Sequence, residues 1–152
     1  MPEYKPASVQ RDVMEFDVVV VGAGPAGLAC AIRLKQLDPA RSVCVLEKAA
    51  EVGGHALSGA VLEPGPLDVL LPDWREHKPG TCVPATRDEF HFLTRSGSRR
   101  LPVPPQQHNR GNLIVSLGQL TPVLAQAAEG LGVDVLAGFA AAAPLFGSDG
   151  AV

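Results

Sequence analysis

The sequence contains few cysteines, few aromatic residues and little net charge. Its three cysteines, Cys30, Cys44 and Cys82, lie far apart and include no Cys-x-x-Cys pair. They are too few for a disulfide framework, so we expect three small buried thiols in a reducing compartment. We expect no metal or iron–sulfur site made by this sequence alone. The net charge of −3 over 152 residues indicates no field strong enough to bind nucleic acid.

Long hydrophobic runs are also missing. The uncharged segments 18–32 and 111–128 are interrupted by glycine, proline or polar residues, and neither forms the ~20-residue apolar span of a transmembrane helix. Residues 1–15 mix both charge signs and lack the apolar core of a secretory signal, so we interpret them as a polar tail. Glycine and proline, by contrast, are abundant, with 16 and 14 residues, and their positions carry most of the functional information.

A strand–helix–strand unit is predicted directly after the tail. The β-branched run 16–21 is typical of a strand covered on both faces, as in a parallel sheet. Pro25 suits the first turn of a helix that ends at Leu37, before Asp38-Pro39. A second buried strand is predicted at 42–46. This order predicts an α/β fold with a parallel sheet.

The turn between the first strand and the helix has the pattern Gly-x-Gly-x-x-Gly. Gly22 allows the tight turn, Gly24 allows the backbone to approach a pyrophosphate, and Gly27 allows the helix to lie close to the sheet. Pro25 and Ala26 complete the first turn, where free N–H groups and the helix dipole favour phosphate. The motif predicts a dinucleotide site.

An acidic residue follows at the expected distance. Glu47 lies 20 residues after Gly27, at the end of the second predicted strand. A carboxylate there accepts hydrogen bonds from both ribose hydroxyls and repels the 2′-phosphate of NADP. Five residues separate Glu47 from the next glycine pair. This Glu-x5-Gly-Gly pattern, which includes Lys48, resembles that of the glutathione-reductase-type FAD-binding fold, in which a second glycine-rich loop approaches the cofactor. That loop would contain the residues Gly53, Gly54, His55, Ser58 and Gly59. The alternative for His55 is a loop histidine without a ligand.

The middle of the chain is rich in proline and is predicted to be mostly loop, with strands at 90–94 and near 113–115. Residues 81–120 carry five arginines against two acidic residues, which predicts either a local basic face or arginines that solvate a loop-rich surface. Two starts compete for the next helix, which runs to about residue 129: Ser116 with Gln119 as a capping box, or Thr121 before Pro122. A strand at 133–136 follows, which 137–143 would extend, and 148–150 resemble a hairpin turn.

Several longer runs resemble the electron transfer flavoprotein–ubiquinone oxidoreductase family. They include Leu-Ser-Gly-Ala-Val-Leu-Glu-Pro at 57–64, Leu-Pro-Asp-Trp at 71–74, Ile-Val-Ser-Leu-Gly at 114–118, and Gly-Phe-Ala-Ala-Ala at 138–142. The resemblance extends over residues 14–150. It implies that residues 16–152 are the N-terminal part of an FAD-binding domain of glutathione-reductase type, incomplete here, with a loop-rich insertion at about 60–110.

The resemblance also implies which residues hold FAD. Ser116 and Gly118 would approach the pyrophosphate from the side opposite the first glycine turn. The complete set of expected cofactor-binding residues is Gly22, Gly24, Pro25, Ala26, Gly27, Glu47, Lys48, Gly53, Gly54, His55, Ser58, Gly59, Ser116 and Gly118. No catalytic acid, base or nucleophile is expected, since the flavin itself carries the electrons.

In the family, FAD and a [4Fe-4S] cluster pass electrons from reduced electron transfer flavoprotein to ubiquinone, and the cluster cysteines lie in a C-terminal part that this sequence lacks. The implied location is peripheral: the cytoplasmic face of a bacterial inner membrane, or the mitochondrial inner membrane in a eukaryote. The segment 66–90 would touch the lipid through apolar side chains; the alternative is a packed loop and helix. The lipid-facing residues would be Leu67, Val69, Leu70, Leu71 and Trp74.

Two other functions remain open from the sequence. One is a FixC-like or geranylgeranyl-reductase-like FAD oxidoreductase of the same fold. The other is a truncated, non-catalytic chain. Because the later Gly-Asp segment that closes this FAD fold is absent, we expect these 152 residues alone to be inactive and to be purified without flavin.

Overall fold

The computed structural model describes residues 12–57, 59–146 and 148. The helices and strands are β1 (Val18–Val21), α1 (Pro25–Leu37), β2 (Val43–Glu47), β3 (Ala60–Leu62), α2 (Pro64–Leu70), β4 (Cys82–Pro84), β5 (Phe90–Thr94), β6 (Gly97–Leu101), β7 (Leu113–Val115), α3 (Leu117–Gly130) and β8 (Val133–Ala137). A short 3-10 helix occupies Pro105–Gln107. Three parallel strands form one sheet in the order β1-β2-β8, three antiparallel strands form a second sheet in the order β3-β7-β4, and β5 pairs with β6 as a hairpin.

The predicted strand–helix–strand unit is confirmed. β1 pairs in parallel with β2, so that Val18 lies opposite Val43 and Val21 opposite Leu46. On its other side β2 pairs in parallel with β8, from Val43 opposite Val133 to Glu47 opposite Ala137. These registers place the carboxyl ends of the three strands at one edge of the sheet, which is where open α/β sheets bind their ligands.

Helix α1 begins and ends where the sequence predicts. Pro25 occupies its first position, and Leu28, Ala31 and Ile32 are fully buried. Its last turn is held by the side chain of Lys35, whose Nζ donates hydrogen bonds to the carbonyl oxygens of Pro39 at 2.7 Å and Arg41 at 2.9 Å. The lysine therefore fixes the chain reversal that leads into β2.

Helix α3 begins at the earlier of the two predicted starts, with Ser116 as its N-cap. The start at Thr121 is wrong: Pro122 lies inside the helix, and Thr121 Oγ1 donates a hydrogen bond to the carbonyl of Leu117 at 2.6 Å. The Ser116 side chain makes no capping hydrogen bond. Gln119, the expected capping-box partner, instead accepts the backbone N–H of Thr81 at 2.7 Å. The helix is therefore anchored to the loop before β4.

The main core lies between the parallel sheet and helices α1 and α3. Its centre is formed by Val43, Val45, Ile32, Leu124 and Val133, together with other buried side chains from the same elements. The predicted burial of the first strand on both faces is wrong, because Val19 is half exposed and Val21 is 70% exposed.

Two other predictions differ from the structure. Cys44 is buried and Cys82 is half-buried, but Cys30 is exposed on α1 and is not a core thiol. Strand β8 ends at Ala137 because Gly138 turns the chain with φ +82°, so residues 138–143 do not continue it. The predicted turn at 148–150 lies mostly outside the described residues, as do residues 1–11 of the polar tail.

Candidate cofactor-binding site

The first glycine turn joins β1 to α1 at the carboxyl edge of the parallel sheet. Gly22 has φ +102°, a conformation that favours glycine, and its N–H donates to the carbonyl of Leu46 at 2.7 Å. Gly27 is required for a different reason. A Cβ on Gly27 would lie 2.1 Å from the carbonyl oxygen of Gly22 and 3.3 Å from Val20 Cγ1. The helix therefore crosses the turn so closely that only glycine fits.

The N-terminus of α1 is open. Gly24, Pro25 and Ala26 are exposed, and a Cβ on Gly24 would meet no described atom within 4 Å. Because the N-cap is glycine, no side chain caps the first-turn N–H groups. Nothing in the described protein thus explains a glycine at position 24, whereas a phosphate that approaches the backbone would.

Glu47 connects the glycine turn to the loop after β2. Its Oε2 accepts the N–H of Ala23 at 2.9 Å, and its Oε1 accepts the N–H of Ala49 at 2.8 Å. These hydrogen bonds, from Ala49 first and then Ala23, hold the pKa of the Glu47 carboxyl below its ordinary value, with a smaller contribution from the charge of His55. Each carboxylate oxygen keeps a further acceptor site, so the carboxylate can still accept hydrogen bonds from two hydroxyl groups.

A pocket of about 270 Å³ lies beside Glu47, at the carboxyl ends of β1 and β2. Its far wall contains none of the predicted site residues and is formed by residues of the Gly-Phe-Ala-Ala-Ala run at 138–142. Phe139 N–H donates to the carbonyl of Glu47 at 2.9 Å, and Gly138 N–H donates to that of Ala49 at 2.7 Å. The position of this run directly after a parallel strand was the available signal. The pocket is lined by Val21, Gly22, Leu46, Glu47, Lys48, Phe139, Ala140 and Ala141.

The second glycine segment packs against the start of α3. Gly53 has φ +85°, and a Cβ there would lie 3.0 Å from the carbonyl oxygen of Gly118 and 3.1 Å from Pro122 Cδ. The carbonyl of Gly118 has no helical N–H partner, because the residue four positions later is Pro122. Gly53 is therefore needed for protein packing, in addition to the cofactor approach that the sequence suggests.

The remaining predicted site residues surround this contact. Gly54 lies against the carbonyl of Glu51, and a Cβ on Gly59 would lie 3.8 Å from the carbonyl of Val115. Ser116 is half-buried, and its N–H donates to Thr81 at 3.4 Å. His55 is exposed. Ser58 lies outside the described residues.

The proposed lipid-facing residues are only partly exposed. Trp74 is fully buried, with Nε1 donating to Asp68 Oδ1 at 2.7 Å. Leu67 is buried in the core, and Leu70 and Leu71 pack against it. The prediction that Leu67 and Trp74 meet lipid is therefore wrong, and the alternative of a packed loop and helix holds for them. Val69 is the exposed member of the set.

The described residues offer neither a metal cluster nor a membrane span. Within ranges 12–57 and 59–146, no three His, Cys, Asp or Glu side chains are grouped so that they would hold a metal ion. In the same part of the chain, no helix is both long and apolar enough to cross a bilayer.

The chain is similar to known proteins over almost its whole length. A family model described as an NAD(P)-binding Rossmann-like domain matches residues 20–77. The mitochondrial electron transfer flavoprotein–ubiquinone oxidoreductase of Dictyostelium discoideum is 49% identical, over 93% of this chain and 24% of its own length. The Pseudomonas aeruginosa enzyme of that name is 50% identical, over 95% of this chain and 28% of its own. The chain thus spans about a quarter of the length of these curated relatives.

Solved structures share the fold. A geranylgeranyl bacteriochlorophyll reductase-like protein of Thermoplasma acidophilum is 18% identical and superposes with a TM-score of 0.61, over 88% of this chain and 32% of that protein. The flavin-dependent monooxygenase PieE, solved with FAD and substrate, is 16% identical with a TM-score of 0.61, over 81% of this chain and 24% of its own. The predicted Rossmann-like α/β fold is confirmed.

Proposed function

We propose that the chain is the flavin-binding portion of an electron transfer flavoprotein–ubiquinone oxidoreductase and that it binds FAD, since it is about half identical to enzymes of that name over the part that it shares with them. The observation that carries the proposal is the open N-terminus of α1 beside Glu47. Gly24 faces free space there, and the helix dipole favours an anion at this end.

The two glycine segments define how this chain would hold the cofactor. The pyrophosphate would lie at the first turn of α1, against the N–H groups that follow Gly24. The ribose hydroxyls would donate to Glu47, whose lowered pKa keeps it ionised near neutral pH. The pocket between Lys48 and Phe139 would receive the adenine end, and the segment at Gly53 and Gly118 would approach the remainder of the cofactor.

The proposed reaction is electron transfer from reduced electron transfer flavoprotein to ubiquinone. The flavin supplies the redox chemistry when bound. The role of this chain is to position it and to set the polarity around it, so no proton-transferring side chain is required. The [4Fe-4S] cluster that the family resemblance implies would be held by residues outside the present sequence.

The proposed location is the surface of a membrane, the cytoplasmic face of a bacterial inner membrane or the mitochondrial inner membrane. Leu67 and Trp74 are buried, so these two side chains do not make the proposed contact, and Val69 alone of the predicted set is exposed. Hairpin β5–β6 fits, because every residue of β5 is exposed and its apolar side chains include Phe92 at 60% and Leu93 at 73% exposure. Exposed aromatic and aliphatic groups of this kind gain free energy at a lipid interface.

Substitution of Gly24 by alanine tests the flavin proposal. A Cβ at position 24 meets no protein atom within 4 Å, so Gly24→Ala should lower the free energy of unfolding by no more than about 1 kcal/mol, the cost of alanine in place of glycine at this N-cap. It should weaken the binding of added FAD by on the order of tenfold or more, because the methyl group stands where the pyrophosphate approaches. Binding is measured by titration of flavin fluorescence, with FAD in excess since the chain is expected to be purified without it.

Gly130→Ala is the matched control. Its Cβ also meets no atom within 4 Å, but it lies at the far end of α3, so FAD affinity should not change. Equal FAD affinity in wild type and Gly24→Ala would contradict the proposed site. A wild-type chain that binds no FAD at any concentration would overturn the flavin proposal and favour a non-catalytic chain.

The geranylgeranyl-reductase-like or FixC-like alternative gains no functional support from the structure. The likeness to the geranylgeranyl bacteriochlorophyll reductase-like protein is at 18% identity and shows the fold alone. The identity of about half to the ubiquinone oxidoreductases favours the first proposal.

A further inference from the structure

Hairpin β5–β6 concentrates positive charge in a chain that is acidic as a whole. Residues 90–101 contain Arg95, Arg99 and Arg100 and no aspartate or glutamate, whereas the complete sequence has a net charge of −3. An anionic surface would therefore repel most of this chain and attract the hairpin. The charge distribution favours one orientation of the molecule.

The strand register places apolar and basic side chains on the same face of the hairpin. Phe90 lies opposite Leu101, and Phe92 lies opposite Arg99. Because side chains alternate along a strand, these four share one face, and Arg95 stands in the turn that joins the two strands. This combination of aromatic rings and guanidinium groups is the composition of a surface that lies at a lipid interface.

The three arginines of the hairpin are free to bind another molecule. In the part of the chain that the structure describes, no carboxylate lies within ion-pairing distance of Arg95, Arg99 or Arg100. The other face of the hairpin differs, since Glu89 pairs with His91 at 2.9 Å and with Arg87. Arg100 lies on that other face, opposite His91. Arg99 is therefore the arginine that shares a face with the two phenylalanines, and Arg95 stands at the hairpin tip.

We propose that hairpin β5–β6 selects membranes that contain anionic phospholipids, with Phe90 and Phe92 at the acyl boundary and Arg95 and Arg99 bound to headgroup phosphates. This inference rests on the proposed membrane association and adds the lipid class. Long arginine side chains reach the headgroups from an apolar surface, and bidentate guanidinium geometry suits phosphate oxygens. The exposed apolar side chains beside the arginines favour lipid over a purely polar acidic partner.

Vesicle flotation tests the proposal, because lipid-bound protein rises with the vesicles while aggregated protein does not. Vesicles of phosphatidylcholine alone are compared with vesicles containing phosphatidylglycerol. Wild type should float with the anionic vesicles and much less with the neutral ones. Arg95→Gln/Arg99→Gln should bind the anionic vesicles about 30-fold more weakly, and 1 M salt should weaken wild-type binding in the same direction.

Arg33→Gln/Arg41→Gln is the matched control, since it removes the same charge from exposed residues at α1 and the following turn. Its binding should remain within about threefold of wild type, as the change lies outside the contact surface. Phe90→Ser/Phe92→Ser should weaken binding to both kinds of vesicle.

Each other outcome has a defined meaning. Equal flotation of wild type with neutral and anionic vesicles would overturn lipid selection and leave membrane association standing. Equal losses in the Arg95/Arg99 and Arg33/Arg41 variants would also overturn it, because net charge alone would then explain binding. No flotation with either kind of vesicle would overturn both the proposed membrane association and the lipid selection. The FAD titration would still test the flavin site, because it concerns other residues.

Discussion

Substitution of Gly27 by alanine should separate the part of the glycine fingerprint that serves the fold from the part that serves a ligand. The added Cβ would lie 2.1 Å from the carbonyl oxygen of Gly22 and 3.3 Å from Val20 Cγ1. A carbon–oxygen contact needs more than 3 Å, so either α1 or the glycine turn must move by about 1 Å. Both partners are backbone or branched side chain, and neither moves freely.

The expected magnitude follows from two opposing effects. Alanine in place of glycine in a helix stabilises by up to about 1 kcal/mol. Overpacking of a well-packed site costs typically about 1–3 kcal/mol, and occasionally more. The backbone overlap at Gly27 belongs at the upper end of that range, so we expect a net loss of about 2 kcal/mol in the free energy of unfolding.

Urea unfolding followed by far-ultraviolet circular dichroism measures this loss. Gly130→Ala is the control, because its Cβ meets no atom within 4 Å and it lies in the last turn of α3; it should be neutral or slightly stabilising. If Gly27→Ala unfolds within about 0.5 kcal/mol of wild type, the close helix–turn crossing does not require glycine, and the structural argument for position 27 fails.

Three further predictions concern other parts of the structure. Glu47→Gln retains one of the two carboxylate acceptors for Ala23 and Ala49 and should cost about 1 kcal/mol at pH 7 in urea unfolding. Because the folded pKa of Glu47 is lowered, its stabilisation is present above the ordinary value near 4.5 and is lost as pH falls through the folded value, so the difference from wild type should shrink below about pH 4.5. Lys35→Met removes the hydrogen bonds to two carbonyls in the turn before β2 and should cost about 1–2 kcal/mol by the same assay, whereas an unchanged midpoint would show that this turn needs no side-chain support. Trp74, the one tryptophan of the sequence, is fully buried, so acrylamide should quench its fluorescence weakly and vesicles should not shift its emission; a blue shift with lipid would show that Trp74 and not the hairpin meets the membrane.

The regular part of the fold was predictable because its signals are local. The β-branched run before Gly22 and the position of Pro25 define the strand–helix boundary without reference to the rest of the chain. The need for glycine at position 27, where α1 crosses closely over the turn that precedes it, is also a local feature. The residues in contact there, Val20, Gly22 and Gly27, lie within eight positions of one another.

Features that depend on distant contacts were harder to predict. The predicted start at Thr121 was wrong because it rested on the preference of Pro122 for the first turn of a helix. Contacts of the preceding turn with distant residues favour the earlier start: Gln119 accepts a hydrogen bond from the loop before β4, and Gly53 packs on Gly118. The sequence left Trp74 open between a lipid contact and a packed position, because an interfacial and a packed tryptophan have the same sequence signal. The contribution of Phe139 to the pocket depends on the pairing of β8 with β2. The sequence predicts the strand at 133–136, but the strand with which it pairs is distant in sequence.

The order of the parallel strands also has a consequence for folding. Residues 22–42, a connection of 21 residues, join β1 to β2, whereas 85 residues, 48–132, separate β2 from β8. Closing the longer connection costs about 1.2 kcal/mol more loop entropy than closing the shorter one. We therefore expect β1, α1 and β2 to associate early and β8 to be added late. Until then the β8-facing edge of β2 is open to pairing with other chains, so conditions that slow the second step should favour intermolecular association of the partly folded chain.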